Sequence, residues 1–409
     1  MTIAMFTDAY FPRVNGVAVS VKSYSEELVK LGHSVYIVCC DYDHTDTNAF
    51  TLGKIRYEYP MEGNKNMVLL RVPSKDLAFS KEDRQAQLNQ WRNIKHSLDA
   101  VSPDLVHINS EFVMGWYGVT YARHRRIAVV FTFHTLWEDY IENYVKALPR
   151  TVSQKVGREM VKFYLKRADE IIVPTKRIGN VAESYGLEHP YDILPTGIPD
   201  IFLDSDENTQ KEWREKLYLE FPALKDSEIL LYVGRVVKEK NLDFLFEVLS
   251  RIKPSHPDAK LLLVGGGPWL DDLRELAKKD GLEDSVIFTD YRPREELVRF
   301  YHLAKVFVFP SVTETQGLVT VEAMMAGLPV VAIGEMGTVD VMQGDNGGFM
   351  VPNDAETFAR KVLALLDDSE LHAQKSRDAK LWGKKWSMKE LAPKLVTYYE
   401  KAIERKAHP

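Results

Sequence analysis

The stretch from residue 306 to residue 332 constrains the fold of this chain more than any other part of the sequence. The apolar run Val306–Phe309 predicts a strand that stops at Pro310. Residues Val319–Ala326 predict a helix, which ends at Gly327 and is followed by the apolar run PVVA. Neighbouring parallel strands are joined by such a crossover, usually through a helix. The sequence therefore predicts an α/β fold.

Two glutamates flank the start of the predicted helix, with Glu314 in the preceding loop and Glu322 inside the helix, eight positions later. The N–H groups of Gly317, Leu318 and Val319 would have no intrahelical partner there and could bind phosphate oxygens. Carboxylates on either side suit the hydroxyls of a ribose and a sugar that flank a diphosphate. A loop glutamate and a solvated helix glutamate are the commoner explanation for such spacing, but strand, glycine and helix all fall where a phosphate-binding turn needs them.

The phrase ETQGLVTVEAMMAGLPVV is similar to the donor-site motif of the retaining glycosyltransferases of family four. The resemblance implies the GT-B fold, with two doubly wound Rossmann-like domains facing a central cleft. It also implies a catalytic role for Glu314 and a donor-binding role for five neighbours in the motif: Thr315, Gln316, Gly317, Leu318 and Glu322.

Length and composition indicate a globular protein of two domains. A chain of 409 residues is too long for one core, and 45% hydrophobic with 27% charged residues is typical of soluble globular proteins. No apolar run approaches the roughly 20 residues of a membrane span. The start, MTIAMFTDAY, predicts a strand and not a signal peptide. Adjacent Cys39 and Cys40 are expected to be buried thiols in a reducing, cytoplasmic setting.

The net charge of −6 is unevenly distributed. Residues 1–195 hold 24 Lys and Arg against 23 Asp and Glu, whereas the remainder holds 29 against 36. This balance argues against a nucleic-acid partner and makes the N-terminal half the better candidate for an anionic partner.

Strand and helix patterns alternate on both sides of the phrase PTGIPD at 195–200. We therefore predict an N-terminal domain over 1–195 and a donor-binding domain over 196–385. In the GT-B fold the last helix, here about 386–409, crosses back to the first domain.

Three residues of the N-terminal domain are candidates for the site. Asn15 and Gly16 follow the first predicted strand and open a helix, where the backbone can approach the donor, although the dinucleotide pattern GxGxxG is absent. His134 ends a strand in the family's FHT phrase, and we predict a catalytic role, although a single histidine is more often structural.

The phrase GRVVKEKN follows the strand ILLYV and matches the family's diphosphate-binding pattern. Arg235 and Lys240 would bind the diphosphate and stabilise its departure, whereas Lys238 is expected to be a bystander. Further donor contacts are predicted at strand-ending turns, namely at Gly234, Gly266, Tyr291 and Arg292.

No metal or other cofactor is expected. The acid pairs Asp41/Asp43 and Asp204/Asp206 have DxD spacing, but both lie in loops far from the donor motif. Arg235, Lys240 and the helix N-terminus would take the place of a metal ion.

The stretch 146–177 carries nine basic residues against three acids, including Lys155, Arg158 and Lys162. The apolar positions Val152, Val156, Met160 and Phe163 recur on one helical face. Such a helix could lie on an anionic membrane surface, or it could pack the apolar stripe on the core with a solvated basic face.

The opening FTDAYFPRVNGVAVSV resembles members of the family that glycosylate diacylglycerol and related lipids. The resemblance implies retaining transfer of a hexose, glucose from UDP-glucose, to a lipid hydroxyl at the inner face of the cell membrane. Transfer to a soluble or polysaccharide acceptor, a sugar-nucleotide epimerase or hydrolase, and a non-catalytic nucleotide-sugar binder remain alternatives.

Overall fold

The structure is a computed structural model. It describes residues 1–13, 15–42, 49–61, 63–77, 80–134, 150–187, 190–203, 205–314, 316–343 and 346–408, without the side chains of 80–82 and 150–154.

The chain forms two compact units. Unit 1 comprises Met1–Gly197 together with Met388–Pro409, and unit 2 is the continuous segment Ile198–Ser387. The boundaries predicted from the sequence lie about two residues from these.

Unit 1 is built on one large sheet. Its strands are β1 (Thr2–Thr7), β2 (Ser34–Cys40), β3 (Phe50–Leu52), β4 (Ile55–Glu58), β5 (Met67–Val72), β6 (Ser74–Leu77), β7 (Ser80–Ala86), β8 (Leu105–Ile108), β9 (Ala128–Thr132), β10 (Glu170–Val173) and β11 (Asp192–Ile193). The described helices of its N-terminal segment are α1 (Gly16–Lys30), α2 (Trp91–Asp99), α3 (Val113–Arg125), α4 (Arg150–Leu165) and α5 (Lys176–Ser184).

Nine of these strands form the sheet in the order β11-β10-β9-β8-β1-β2-β5-β4-β3, which is parallel from β11 to β5. Strands β3 and β4 extend it antiparallel, and β6 and β7 pair separately. The inner strands are buried on both faces, which explains their continuous apolar sequences. Cys39 and Cys40 lie fully buried in β2, as predicted.

Unit 2 is built on a six-stranded parallel sheet in the order β14-β13-β12-β15-β16-β17. Its strands are β12 (Glu228–Val233), β13 (Ala259–Val264), β14 (Val286–Phe288), β15 (Val306–Phe309), β16 (Val330–Ile333) and β17 (Gly348–Val351). Its described helices are α6 (Glu207–Glu220), α7 (Phe244–Ile252), α8 (Leu270–Lys279), α9 (Arg294–Leu303), α10 (Leu318–Met325), α11 (Gly337–Val341), α12 (Ala355–Asp367) and α13 (Ser369–Lys384).

Short polar side chains fix where several of these helices begin. Asp206, Asp354 and Asp368 accept hydrogen bonds from backbone N–H groups at the starts of α6, α12 and α13. These bonds satisfy donors that have no partner within the helix. The apolar faces of the helices then cover both sides of the sheet.

The C-terminal helix α14 (Met388–Ala407) belongs to unit 1 and packs on its sheet. The Tyr399 hydroxyl lies 2.7 Å from Nδ1 of buried His107. Arg405 and Lys401 lie 2.8 and 3.4 Å from the fully buried carboxylate of Glu170. Polar and apolar contacts together therefore attach the helix to the first unit.

None of the helices in the described ranges is both long enough and apolar enough to span a bilayer.

Candidate functional site

The order of strands in unit 2 places a ligand crevice at one point of the sheet. From β12 the chain moves outward to β13 and β14, and then returns to β15 on the other side of β12. The loops after β12 and β15 therefore leave the sheet in opposite directions, and ligands of open α/β sheets bind in such a gap. Arg235 and Lys240 lie in the first loop, and Glu314 and Gly317 lie in the second.

Side chains join these two loops directly. Lys240 Nζ lies 3.0 Å from Glu314 Oε2 and donates to Ser311 Oγ at 3.2 Å. Asn241 Nδ2 donates to the carbonyl of Pro310 at 3.3 Å. The lysine and the loop glutamate, 74 positions apart in sequence, therefore meet at the switch point of the sheet. Sequence analysis did not identify Ser311, although it lies next to the end of a strand.

Arg235 projects away from the protein. Its side chain is 73% exposed and pairs with Glu239 at 3.1 Å, a contact that stabilises the fold by less than about 1 kcal/mol. Its carbonyl accepts a hydrogen bond from the buried Tyr232 hydroxyl at 3.1 Å. The backbone is held while the guanidinium remains accessible to an anion.

The start of α10 has the geometry of an anion site. Gly317 adopts the left-handed conformation, with φ of 62°, and caps a helix that begins at Leu318. The first N–H groups of a helix have no intrahelical acceptor. Gln316 Oε1 is buried without a hydrogen-bond partner among the described residues, and Thr315 lies outside them.

Glu322 is buried inside α10, and only 4% of it is exposed. Its Oε1 accepts a hydrogen bond from Arg294 Nη2 at 2.6 Å, and its Oε2 accepts one from the Tyr301 hydroxyl at 3.0 Å. Sequence analysis missed both partners. Their spacing of seven on α9 places them on one helical face, but that spacing alone does not indicate which carboxylate they meet.

The glycine turns after β12 and β13 pack closely together. A Cβ on Gly265, which has φ of 147°, would lie 1.9 Å from the carbonyl oxygen of Gly234, whereas the nearest atom to a Cβ on Gly266 is 3.5 Å away. The close approach therefore requires glycine at 265. Gly266, the predicted donor contact, accepts a hydrogen bond from the Val236 N–H through its carbonyl.

The structure gives the two predicted base-wall residues different surroundings. The Tyr291 side chain is 77% exposed and lies next to Gly266. Arg292 instead pairs with Glu220 of α6 and donates from Nε to the carbonyl of Thr289 at 3.1 Å. The tyrosine is largely exposed, whereas only 21% of the Arg292 side chain is.

Unit 1 has its own switch point between β1 and β8. Asp8 follows β1, and its carboxylate accepts hydrogen bonds from the Ser110 hydroxyl at 2.6 Å and from the Met114 N–H at 3.3 Å. Burial raises the pKa of Asp8 to about 6. This buried carboxyl was not predicted.

His134 and Asn109 meet at the same edge of the sheet. His134 Nε2 donates to Asn109 Oδ1 at 3.2 Å, and burial lowers the pKa of His134 to about 4, so the ring is neutral at pH 7. Asn109 Nδ2 is buried and has no partner in the part of the chain that the structure describes. A buried unpaired donor costs free energy, and a ligand oxygen would satisfy it.

The two predicted residues before α1 have a local role. The Asn15 side chain accepts a hydrogen bond from the Ala18 N–H at 2.8 Å and caps the helix. A Cβ on Gly16 would meet no atom within 4 Å, so the backbone there faces open space.

The apolar stripe of α4 contributes only in part to its packing face, because Met160 and Phe163 pack against the core while partly buried. Val156 is 57% exposed, whereas Val161, Tyr164 and Leu165 are buried in the core. At about 100° per residue, the buried face lies roughly a third of a turn from the stripe. Of the four stripe residues, two therefore pack against the core, Val156 lies on the surface, and the side chain of Val152 lies outside the described residues.

The three predicted basic residues of α4 are partly engaged. Lys155 is exposed. The Arg158 guanidinium lies 5.3 Å from the centroid of the Tyr185 ring, and Lys162 pairs with Glu159 at 3.0 Å. The outward surface of the helix thus carries basic side chains beside an apolar one.

The predicted absence of a metal stays a prediction. Asp43 and Asp204 lie outside the described residues, and Asp206 caps α6 through the Thr209 N–H at 3.0 Å.

These features are typical of an enzyme that binds a nucleotide sugar: two parallel α/β units, and the Lys240–Glu314 pair beside a helix N-terminus. Comparison with known proteins agrees: residues 14–200 match Glycosyltransferase Family 4, and residues 214–382 match Glycosyl transferases group 1. The chain belongs to this glycosyltransferase family and has its GT-B fold.

The similar proteins include lipid glucosyltransferases. The chain is 31% identical to an alpha-monoglucosyldiacylglycerol synthase of Streptococcus pneumoniae, over 82% of this chain and 71% of that protein. It is 26% identical to the enzyme of the same name from Acholeplasma laidlawii, over 99% and 98%. The structure of Anabaena HepE in complex with UDP superposes with a TM-score of 0.73 at 13% identity, covering 98% of this chain and all (100%) of that one.

Proposed function

We propose that this protein is a retaining hexosyltransferase that moves glucose from UDP-glucose to a lipid hydroxyl such as that of diacylglycerol. The observation that carries the proposal is the meeting of Lys240 and Glu314 at 3.0 Å, beside the N-terminus of α10 at the switch point of the unit 2 sheet. The names of the two lipid glucosyltransferase relatives support the choice of sugar and acceptor.

Each end of the donor would meet a different group. The diphosphate would bind Arg235, Lys240 and the N–H groups of the helix that begins at Leu318. The two side chains supply positive charge, and the N–H groups supply hydrogen-bond donors. Glu322 would accept hydrogen bonds from the ribose hydroxyls, and Glu314 from the transferred sugar. The exposed Tyr291 ring would cover the base.

Lys240 can serve both the protein and the donor. An ammonium group has three donors, and two of them already meet Glu314 and Ser311. The third would reach a phosphate oxygen. The lysine would therefore hold the loop glutamate in place while it neutralises charge on the leaving diphosphate.

Transfer would proceed on one face of the sugar. The bond from C1 to the β-phosphate oxygen breaks, and the acceptor oxygen forms a new bond to C1 on the same side. The acceptor's proton passes to the departing phosphate oxygen, so the products are the glycoside and UDP. This route needs no nucleophile from the protein, and the positive charges at Arg235 and Lys240 stabilise the departing anion.

Unit 1 supplies features that suit a lipid acceptor. The unpaired Nδ2 of Asn109 would donate to an acceptor oxygen, and neutral His134 beside it would orient that contact. Phe112 and Trp116 follow at the start of α3, with 39% and 44% of their surfaces exposed. Aromatic rings near an acceptor site can insert among lipid chains, and Lys155 beside exposed Val156 would meet anionic head groups.

Product analysis tests the reaction itself. The enzyme is incubated with UDP-, GDP- and ADP-sugars and a total lipid extract, and mass spectrometry records any lipid that gains a hexose. We expect hexosyl-diacylglycerol from UDP-glucose alone. Release of UDP without a glycosylated lipid would overturn the proposal. A hexose found on a soluble compound would overturn the lipid acceptor and replace it by a soluble one.

Sedimentation with liposomes tests the membrane contact separately. We expect binding to anionic vesicles that declines as salt rises, because screening shortens the field to roughly 8 Å at physiological ionic strength. Charge reversal of Lys155, Arg158 and Lys162 should abolish it and leave UDP binding intact. The matched control reverses three exposed residues of unit 2 (Lys211, Arg214 and Lys225) and should change little; equal losses in both sets would mean that only net charge matters.

A further inference from the structure

We propose that Arg294 and Tyr301 are positioning residues, which orient the Glu322 carboxylate so that it recognises the vicinal hydroxyls of a ribonucleotide. The inference rests on the proposed function, in which Glu322 meets the ribose. It adds the residues that orient the glutamate. It also predicts that the enzyme binds nucleotides without ribose hydroxyls weakly.

Arg294 and Tyr301 each contact one oxygen of the Glu322 carboxylate. Arg294 Nη2 lies 2.6 Å from Oε1, and the Tyr301 hydroxyl lies 3.0 Å from Oε2. An ionised carboxylate has about four lone-pair sites. With one contact made at each oxygen from α9, each oxygen retains acceptor capacity, and a pair of neighbouring hydroxyls is the ligand that would use both.

The two partners are themselves held rigidly. Tyr301 is 1% exposed and packs edge-to-face on Phe202 with ring centroids 5.7 Å apart, and its hydroxyl oxygen lies 3.3 Å from the Val319 carbonyl oxygen. The Arg294 guanidinium lies 5.8 Å from the same phenylalanine ring. Burial raises the pKa of Tyr301 well above its usual value, so its hydroxyl stays a donor.

Charge explains why an arginine is needed. Glu322 is almost completely buried, and an unpaired buried carboxylate is strongly unfavourable. Arg294 supplies the compensating charge from a side chain that is only 28% exposed. Without Arg294, the Glu322 carboxylate would lose the charge that compensates it and the contact that fixes its orientation. The ribose hydroxyls would then lose two correctly placed acceptor oxygens.

Calorimetry with paired ligands tests the inference. Affinities are measured for UDP, ADP and GDP and for their 2′,3′-dideoxy counterparts, since a ribose contact does not depend on the base. We expect the wild type to prefer the ribonucleotide by at least about thirtyfold, the scale of two hydrogen bonds to a charged acceptor. In Arg294→Gln that preference should fall to about threefold or less, with the dideoxy affinity within about twofold of wild type.

Three further variants make the outcome specific. Arg294→Lys should recover part of the preference, and Tyr301→Phe should lose less of it than Arg294→Gln. Arg299→Gln is the control, because Arg299 lies on the same helix but pairs with Glu296, and it should behave as wild type. Thermal unfolding of each variant shows whether it is folded.

The outcomes separate the two proposals. A wild-type preference that persists in folded Arg294→Gln, or equal losses for both ligands, overturns the positioning role alone. A wild type that binds nucleotide without preferring the ribose overturns the ribose role of Glu322, and the positioning role with it. A wild type that binds none of the nucleotides overturns the proposed function as well.

Discussion

Replacing Lys240 by methionine should damage stability and turnover by separable amounts. The change removes the ammonium group that lies 3.0 Å from the Glu314 carboxylate, which is 19% exposed, and that donates to Ser311 Oγ. A hydrogen bond to a charged group contributes about 1.5–3 kcal/mol, and solvent reaches part of this pair, so we expect a loss of about 2 kcal/mol. For a domain the size of unit 2 this lowers the melting temperature by about 4–8 °C.

Turnover should fall by at least about a hundredfold, which corresponds to about 2.7 kcal/mol of transition-state stabilisation. Adding Glu314→Gln to Lys240→Met removes the negative charge that Lys240 compensated, so calorimetric melting should return most of the way to wild type. Turnover in the double variant should stay low, because only Arg235 then neutralises the diphosphate and the Glu314 carboxylate no longer accepts from the sugar.

Lys238→Met is the matched control, since Lys238 lies on the same short turn, Lys238–Lys240, but is exposed. It should melt and turn over as wild type does. Turnover of Lys240→Met within tenfold of wild type would refute the diphosphate role. If Glu314→Gln restored both the activity and the stability of Lys240→Met, the lysine would only hold the loop.

Three other predictions follow from the same structure. Gly265→Ala should lower turnover sharply and destabilise the fold by at least about 2 kcal/mol, because its Cβ would clash with the Gly234 carbonyl. Gly266→Ala should change the melting temperature and turnover little, and equal effects of the two substitutions would contradict the packing argument. The Asp8 carboxyl, whose pKa rises from 3.8 to about 6 on burial, contributes stability at low pH that is lost as pH rises through 6. Asp8→Asn should therefore exceed wild type by up to about 3 kcal/mol at pH 7.5 and lose that advantage below pH 4, as denaturant melts at both pH values would show. Exhaustive EDTA treatment should leave turnover within about twofold, a change below 0.5 kcal/mol, and a loss restored by magnesium or manganese would refute the metal-free proposal.

The sequence predicted the elements whose pattern is local. Strands such as Val306–Phe309 are continuous apolar runs that end at a turn residue, here Pro310, and the helix of the donor loop was placed one residue from its observed start. The antiparallel strands Phe50–Leu52 and Ser80–Ala86 were missed, because a short exposed or largely polar strand has no periodicity to detect.

Contacts across the fold could not be predicted in the same way. The pairing of Arg294 with Glu322 depends on how α9 packs against α10, which spacing along the chain does not reveal. The stripe on α4 matches the packing face only in part for a related reason. Met160 and Phe163 pack against the core while partly buried, but the fully buried positions include Tyr164, a residue that fits a surface as well as a core.

The attachment of α14 to unit 1 has a consequence for biosynthesis. Unit 2 is one continuous segment, but unit 1 is divided by it. On the ribosome the first 197 residues emerge early yet lack Leu391, Leu395 and Tyr399, which fill their core, and the cations that neutralise Glu170. The inserted unit can therefore finish folding first, and the N-terminal segment must wait, with the part of one sheet face that α1 does not cover still exposed, until translation supplies the helix.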